Sequence, residues 1–274
     1  MTVTLAELAE KLKALESAVI FCHMRPDGDA IGAAMGLKRL LANCGVKCSV
    51  ACESAIPRKF DFLPDTSAFS APVDMSAEAF IAVDSSDENR LGKYGDVFMQ
   101  AKKVKFNIDH HISNTRFADY NFVDDVAASC EIMVRLAEYL GGVNDALTAN
   151  FLMTGLSSDT GNFALKNVTA DTFRAAAYLA ERGADINLVQ YNMFKKQSKE
   201  RARLFGETMS KIRYFAEGKI AMITVTKEDL SRTCASSDMT EGFIDFPLGI
   251  EGVEVAACLL ETGSKKFKIS LRSK

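Results

Sequence analysis

A chain of 274 residues is long enough for about two domains, and with 48% hydrophobic residues each half can bury an ordinary core. The formal net charge of −3 excludes a general nucleic-acid-coating protein, whose whole surface would be basic, but not a local basic patch for small anions. The longest uncharged run, residues 146–158, falls well short of the roughly 20 residues a membrane helix needs, so no membrane association is expected.

The first predicted element is a helix. Thr4 and Glu7 have capping-box spacing, and Leu5, Leu8, Leu12 and Leu15 recur on one face. Glu7, Glu10 and Glu16 are wrong for a signal or transit peptide, and a cytoplasmic enzyme is expected. Residues 18–23, 46–52, 79–84 and 104–109 are strand candidates rich in Val, Ile and Phe. Between the first two lies a helix over residues 30–44, with Ile31, Ala34, Leu37, Leu41 and Cys44 on one face. This alternation predicts an α/β fold with a doubly wound, mostly parallel sheet. Helices follow at 127–140, 145–156 and 169–182, and a charged one at 198–213. Strand patterns return at 219–226 and in a hairpin over 253–272, turning at Thr262-Gly263-Ser264. The expected organisation is a first domain over 1–190, a connector helix over 191–213 and a second, smaller α/β domain over 214–274. Cys44, Cys48 and Cys52 have spacing reminiscent of a metal site, but Cys44 closes a helix, while Cys48 and Cys52 alternate with Val50 along a strand. They read as packing residues, with no disulfide framework among the seven cysteines.

The three histidines of the chain all sit where chemistry is plausible. His23 ends the first strand and opens His23-Met24-Arg25-Pro26-Asp27-Gly28-Asp29, where a Pro/Gly turn can fold Asp27 and Asp29 back toward the imidazole. The bland alternative is that Asp29 is the N-cap of the next helix and Asp27 a turn residue. The third strand ends in Asp84-Ser85-Ser86-Asp87 and the fourth in Asp109-His110-His111. In an open parallel sheet, ligands bind beyond the carboxyl ends of the strands, so three such ends bearing Asp or His point to one site. Asp159, in Ser157-Ser158-Asp159-Thr160-Gly161, lies just beyond an apolar helix and by itself reads as part of a polar helix terminus closed by Gly161. Mixed imidazole and carboxylate donors suit Mn²⁺, Fe²⁺, Co²⁺ or Zn²⁺ better than Mg²⁺ or Ca²⁺. Two ions about 3.5–4 Å apart, bridged by one carboxylate, would clamp an in-line displacement at phosphorus, acidify a shared water and neutralise the phosphoryl oxygens. No Walker loop, dinucleotide fingerprint or Ser–His or Cys–His nucleophile competes with this reading.

These motifs, in this order, resemble the DHH phosphoesterase family. Asp109-His110-His111-Ile112-Ser113-Asn114 is most similar to the bacterial branch with nanoRNase and 3′-phosphoadenosine-5′-phosphate (pAp) phosphatase activity. A weaker likeness to that branch's second domain, DHHA1, rests on Glu241-Gly242-Phe243-Ile244-Asp245 and Ile269-Ser270-Leu271-Arg272. The resemblance implies two divalent ions, expected to be Mn²⁺. One would be held by His23, Asp27 and Asp84, the other by Asp29, Asp84, His110 and Asp159, with Asp84 bridging. It also implies that Asp109 orients a histidine, that His111 faces the scissile phosphate, and that Arg272 reaches substrate from the second domain, with Asn114 counted among the substrate contacts. The family's second domain continues to a substrate-binding Gly-Gly-Gly-His segment; none occurs before Lys274, so that domain is expected to be incomplete and substrate choice to be affected. The expected activity is hydrolysis of short oligoribonucleotides (3′–5′), of the 3′-phosphate of pAp, or of both. The alternatives are a cyclic- or linear-dinucleotide phosphodiesterase and, from another class, a nucleotide-binding protein with little turnover. Short oligonucleotides or small nucleotides such as pAp are the expected partners, and a homodimer is one option for the assembly.

Overall fold

The computed structural model describes residues 1–71, 73–264 and 266–274 and divides into two compact units, Met1–Lys195 and Lys196–Lys274. The first unit opens with α1 (Leu5–Lys13), capped by Thr4 and Glu7 as its sequence predicts. Its sheet comprises β1 (Ser17–Phe21), β2 (Lys47–Ala51), β3 (Ala79–Val83), β4 (Val104–Asp109) and β5 (Tyr120–Val123). The strands run in the order β2-β1-β3-β4-β5, and all the pairings are parallel. Parallel strands are covered on both faces and therefore read as continuous apolar runs. β3 is buried at every position. Successive side chains go to opposite faces. Ala18, Ile20, Ile81 and Val83 join one core with α2 (Gly28–Asn43), while Val19, Phe21 and Phe80 join the other with Phe98 of α3 (Tyr94–Gln100).

The helical layer on the first face contains α4 (Ser129–Tyr139), α5 (Ala146–Asp159) and α6 (Ala170–Glu181), followed by the short α7 (Ile186–Gln190). α2 and α5 cross closely because glycine replaces side chains where they meet. A Cβ on Gly32 would lie 2.4 Å from the Phe151 carbonyl oxygen, and one on Gly155 would lie 2.7 Å from Asp29 Oδ1. Gly28 faces Ser158 and Gly36 faces Leu152, so the helices run antiparallel. The start of α2 is thereby set beside the end of α5, which brings Asp29 and Asp159 to the same place.

The second unit holds α8 (Lys199–Met209), β6 (Arg213–Phe215), β7 (Ile220–Val225), α9 (Lys227–Thr233), α10 (Asp245–Leu248), β8 (Val255–Gly263) and β9 (Lys266–Ser273). Its sheet order is β6-β7-β8-β9, with β7 and β8 parallel and the outer pairs antiparallel. The charged helix expected as a connector is instead part of this unit: Leu204 of α8 is fully buried with Ile223, Val225 and Phe243. It also stops at Met209, and residues 213–215, with two aromatics, pair as an edge strand. The expected hairpin is β8–β9; of its turn, Lys265 lies outside the described residues. All seven cysteines are free. Among the described residues no helix is long and apolar enough to cross a membrane.

Candidate metal centre

The sheet delivers its chemistry at the carboxyl ends of three adjacent strands. His23 lies two residues beyond β1. Asp84 follows β3 at a left-handed φ of 52°, a conformation a non-glycine residue adopts only when its surroundings impose it. Those surroundings include the Asp84 amide, which donates to Ile108 O at 3.0 Å. Asp109 ends β4, with His110 and His111 next in the chain. The N-cap of α2 is Asp27, whose Oδ1 accepts from the amides of Asp29 (3.0 Å) and Ala30 (3.1 Å). Asp29 is not the cap; it lies in the first turn and is fully buried. Asp159 is the last residue of α5 rather than a loop residue beyond it.

These side chains meet. His23 Nε2 is 3.7 Å from Asp27 Oδ1 and 3.5 Å from Asp84 Oδ2. His110 Nε2 is 3.5 Å from Asp84 Oδ1, 3.4 Å from Asp159 Oδ2 and 3.9 Å from Asp29 Oδ2. Asp84, 1% exposed, therefore turns one oxygen to each histidine. Three overlapping groups have their ligand atoms within 4.8 Å of one another: His23–Asp27–Asp84, Asp29–His110–Asp159 and Asp84–His110–His111.

A cation fits this donor set. His110 Nε2 is buried and has no hydrogen-bond partner, an arrangement that is costly unless something else satisfies it. Ligand atoms about 2.0–2.2 Å from a shared ion stand roughly 3–3.5 Å apart, close to the spacing here. Both imidazoles are held by their other nitrogen: His23 Nδ1 meets Met24 O at 2.9 Å and His110 Nδ1 meets Val126 O at 3.1 Å. Nδ1 then carries the proton and Nε2 is left to face the carboxylates, as in metal-ligating histidines. Electrostatics agree. Burial lowers the basicity of His23, but Asp27 and Asp84 outweigh it and hold the pKa up at about 10. His110 is likewise lowered by burial and raised to about 10 by Asp159, Asp29 and Asp84. Burial, together with neighbouring carboxylates, raises Asp29 and Asp159. Without a metal the cluster gathers protons as its counter-charge.

The next layer of contacts was less visible in the sequence. Asp109 orients His111, not a member of either Asp29- or His23-centred group: His111 Nδ1 lies 2.8 Å from Asp109 Oδ1. The hydrogen bond that His111 donates to Asp109 raises the His111 pKa. Asn114, expected at the substrate, is 6% exposed and directed inward. Its Nδ2 is 2.6 Å from Asp109 Oδ2, 2.8 Å from Asn107 Oδ1 and 3.1 Å from Ser85 O. The amino end of α4 supplies a further support. The amides of Ser129 and Cys130 donate to Asp29 at 2.5 and 2.9 Å, and Ser129 Oγ donates to Asp84 Oδ1 at 3.0 Å. A helix N-terminus favours negative charge, so α4 steadies two adjacent carboxylates. The readable signal for this was the missing cap: Ala128 precedes α4 and offers no side-chain acceptor, so the first amides need an acceptor from elsewhere.

In the second unit, Arg272 lines a cavity of about 870 Å³ with Lys227, Lys268, Ser236, Ser270 and Glu261. Lys268 and Arg272 share a face of β9, as their even spacing predicts.

Residues 17–156 match the family model described as DHH family, N-terminal domain. The chain belongs to the DHH family. It is a metal-dependent phosphoesterase hydrolase. This DHH protein is 31% identical over 272 residues to the bifunctional oligoribonuclease and PAP phosphatase NrnA of Thermus thermophilus, covering 97% of this chain and 79% of that one. It is 26% identical over 275 residues to the protein of the same description from Mycoplasma genitalium, covering 98% and 85%. Among solved structures, an exopolyphosphatase-related protein from Bacteroides fragilis superposes with a TM-score of 0.90 at 24% identity, covering 98% of this chain and 83% of that one.

Proposed function

We propose that this DHH protein uses two divalent ions, Mn²⁺ in the first instance, to hydrolyse short oligoribonucleotides from the 3′ end and the 3′-phosphate of pAp. The observation that carries the two-ion reading is Asp84, buried between two histidines with one oxygen toward each. His23, Asp27 and Asp84 would hold one ion, and Asp29, Asp84, His110 and Asp159 the other. Imidazole nitrogens beside carboxylate oxygens suit Mn²⁺ or Co²⁺ better than Ca²⁺. Bound there, the ions supply Lewis acidity, drawing charge from the phosphoryl oxygens and making the attacking water more acidic.

The protein's own residues do the rest. Asp109 fixes the His111 ring through Nδ1 and favours its protonated form, so Nε2 is a donor for a phosphoryl oxygen as charge develops there. Asn114 acts by holding Asp109 rather than by touching substrate. The α4 amides hold Asp29 in place. Arg272 is proposed to hold a substrate phosphate through two hydrogen bonds, which give geometry as well as charge. The small basic surface around it engages few phosphates and so favours short substrates. The descriptions of the Thermus and Mycoplasma relatives support this substrate class. Seven free cysteines support a reducing, cytoplasmic setting.

Turnover of pAp, dinucleotides, long RNA, cyclic dinucleotides and pyrophosphate, each with Mn²⁺, Co²⁺ or Ca²⁺, tests the reading. Dinucleotides and pAp with Mn²⁺ should be fastest, and Arg272→Ala should raise KM for dinucleotides about tenfold, the size of a lost charged hydrogen bond. Faster degradation of long RNA than of dinucleotides, or full activity after EDTA treatment, would refute it.

A further inference from the structure

One short segment orients most of the Asp29–His110–Asp159 group. Val126 O receives His110 Nδ1 at 3.1 Å, and three and four residues later the Ser129 and Cys130 amides hold Asp29. Asp159 comes from a different element, the end of α5. The link between them is a side chain outside the group. Asn167 Nδ2 lies 3.1 Å from Ala127 O, in the middle of the orienting segment, and 3.0 Å from the backbone oxygen of Asp159. The amide NH₂ has two protons and no duplicate demand on them. One side chain thus ties the segment that aims His110 and Asp29 to the residue that bears the third carboxylate.

We propose that Asn167 is a positioning residue that sets the spacing of this ligand group, and so the affinity of one of the two ions and not the other. The proposal rests on the reading that Asp29, His110 and Asp159 hold an ion. His23 and Asp27 have their own supports, the Met24 carbonyl and the first amides of α2, which Asn167 does not touch. Asp84 is held by Ser129 Oγ of the tied segment, but at Oδ1, the oxygen turned to His110, while Oδ2 faces His23. Asn167 is exposed, so its replacement removes no core packing. The effect belongs to the metal site rather than to the fold, because its two acceptors are backbone atoms of the segments that carry the ligands.

The test is Mn²⁺ titration of the full chain by calorimetry and electron paramagnetic resonance, on Asn167→Ala and Asn167→Asp. The aspartate keeps the shape but donates nothing, and its charge alone would favour a cation, so weaker binding in that variant isolates the lost donors. Both variants should keep the wild-type melting temperature and one wild-type Mn²⁺ step, with the other step weakened about 10- to 100-fold, the usual cost of an outer partner of a metal ligand. Dinucleotide turnover should recover at saturating Mn²⁺ with KM unchanged. Two unchanged steps in Asn167→Ala, equal weakening of both steps, or wild-type binding by Asn167→Asp would overturn the proposal. Asp159→Asn, measured alongside, separates it from the reading beneath: if that variant keeps both steps intact, the group holds no ion and the two-ion reading itself fails.

Discussion

The two groups proposed to hold the ions of this DHH protein are built differently. His23 and Asp27 come from one turn of five residues, and their supports, the Met24 carbonyl and the amides of Asp29 and Ala30, lie in that turn or directly after it. Asp29, His110 and Asp159 come from α2, the end of β4 and the end of α5, and depend on α4, on Asn167 and on a glycine-mediated helix crossing. Asp84 turns one oxygen to a histidine of each. A local group needs only its own sequence to form, whereas an assembled group is as accurate as the packing of the elements that carry it. Perturbing packing should therefore loosen one ion and spare the other.

The largest effect short of removing a ligand should come from His111, which lies beside both groups without being needed to hold either. His111→Ala should lower kcat about 10²–10³-fold, the scale of a lost donor to developing charge, with both Mn²⁺ steps retained. Loss of a Mn²⁺ step in this variant would show that His111 is a ligand, through its group with Asp84 and His110. A smaller and more selective effect is expected from Gly155→Ala. The new methyl group would stand 2.2 Å from Cys130 Sγ and 2.7 Å from Asp29 Oδ1, so Asp29 must move. Overpacking of this kind costs about 1–3 kcal/mol. The thermal midpoint should fall, and the Mn²⁺ step of the assembled group should weaken while the local group keeps its affinity. Equal weakening of both steps would erase the distinction between local and assembled sites.

The same distinction explains how much was legible beforehand. His23, Asp27, Asp84 and the Asp109-His110-His111 run stand out because strand ends and turns are local patterns, and their convergence follows from a parallel sheet. Asn114 was counted among the substrate contacts alongside the family resemblance, which says nothing of its own hydrogen bonds. Only the folded chain shows its loop turning back so that the amide meets Ser85 O, Asn107 and Asp109. Ser129 and Asn167 act through bonds to residues 100 and 8 positions away in the case of Asp29 and Asp159. The uncapped Ala128 hints at an acceptor for the first, and nothing in its immediate neighbours marks the second. α3 and β5 were missed for a simpler reason: the first has no side-chain cap and the second is four residues long, too short for a periodic pattern.

The shared carboxylate offers the most direct measurement. Mn²⁺ titration of the wild-type chain should give two ions per molecule, and Asp84→Asn should weaken both steps and cut kcat by about 10³-fold or more, several kcal/mol of lost charge stabilisation. A wild-type chain that binds a single ion, or an Asp84→Asn protein that loses one step and keeps the other, would contradict the bridge on which the two-ion site depends.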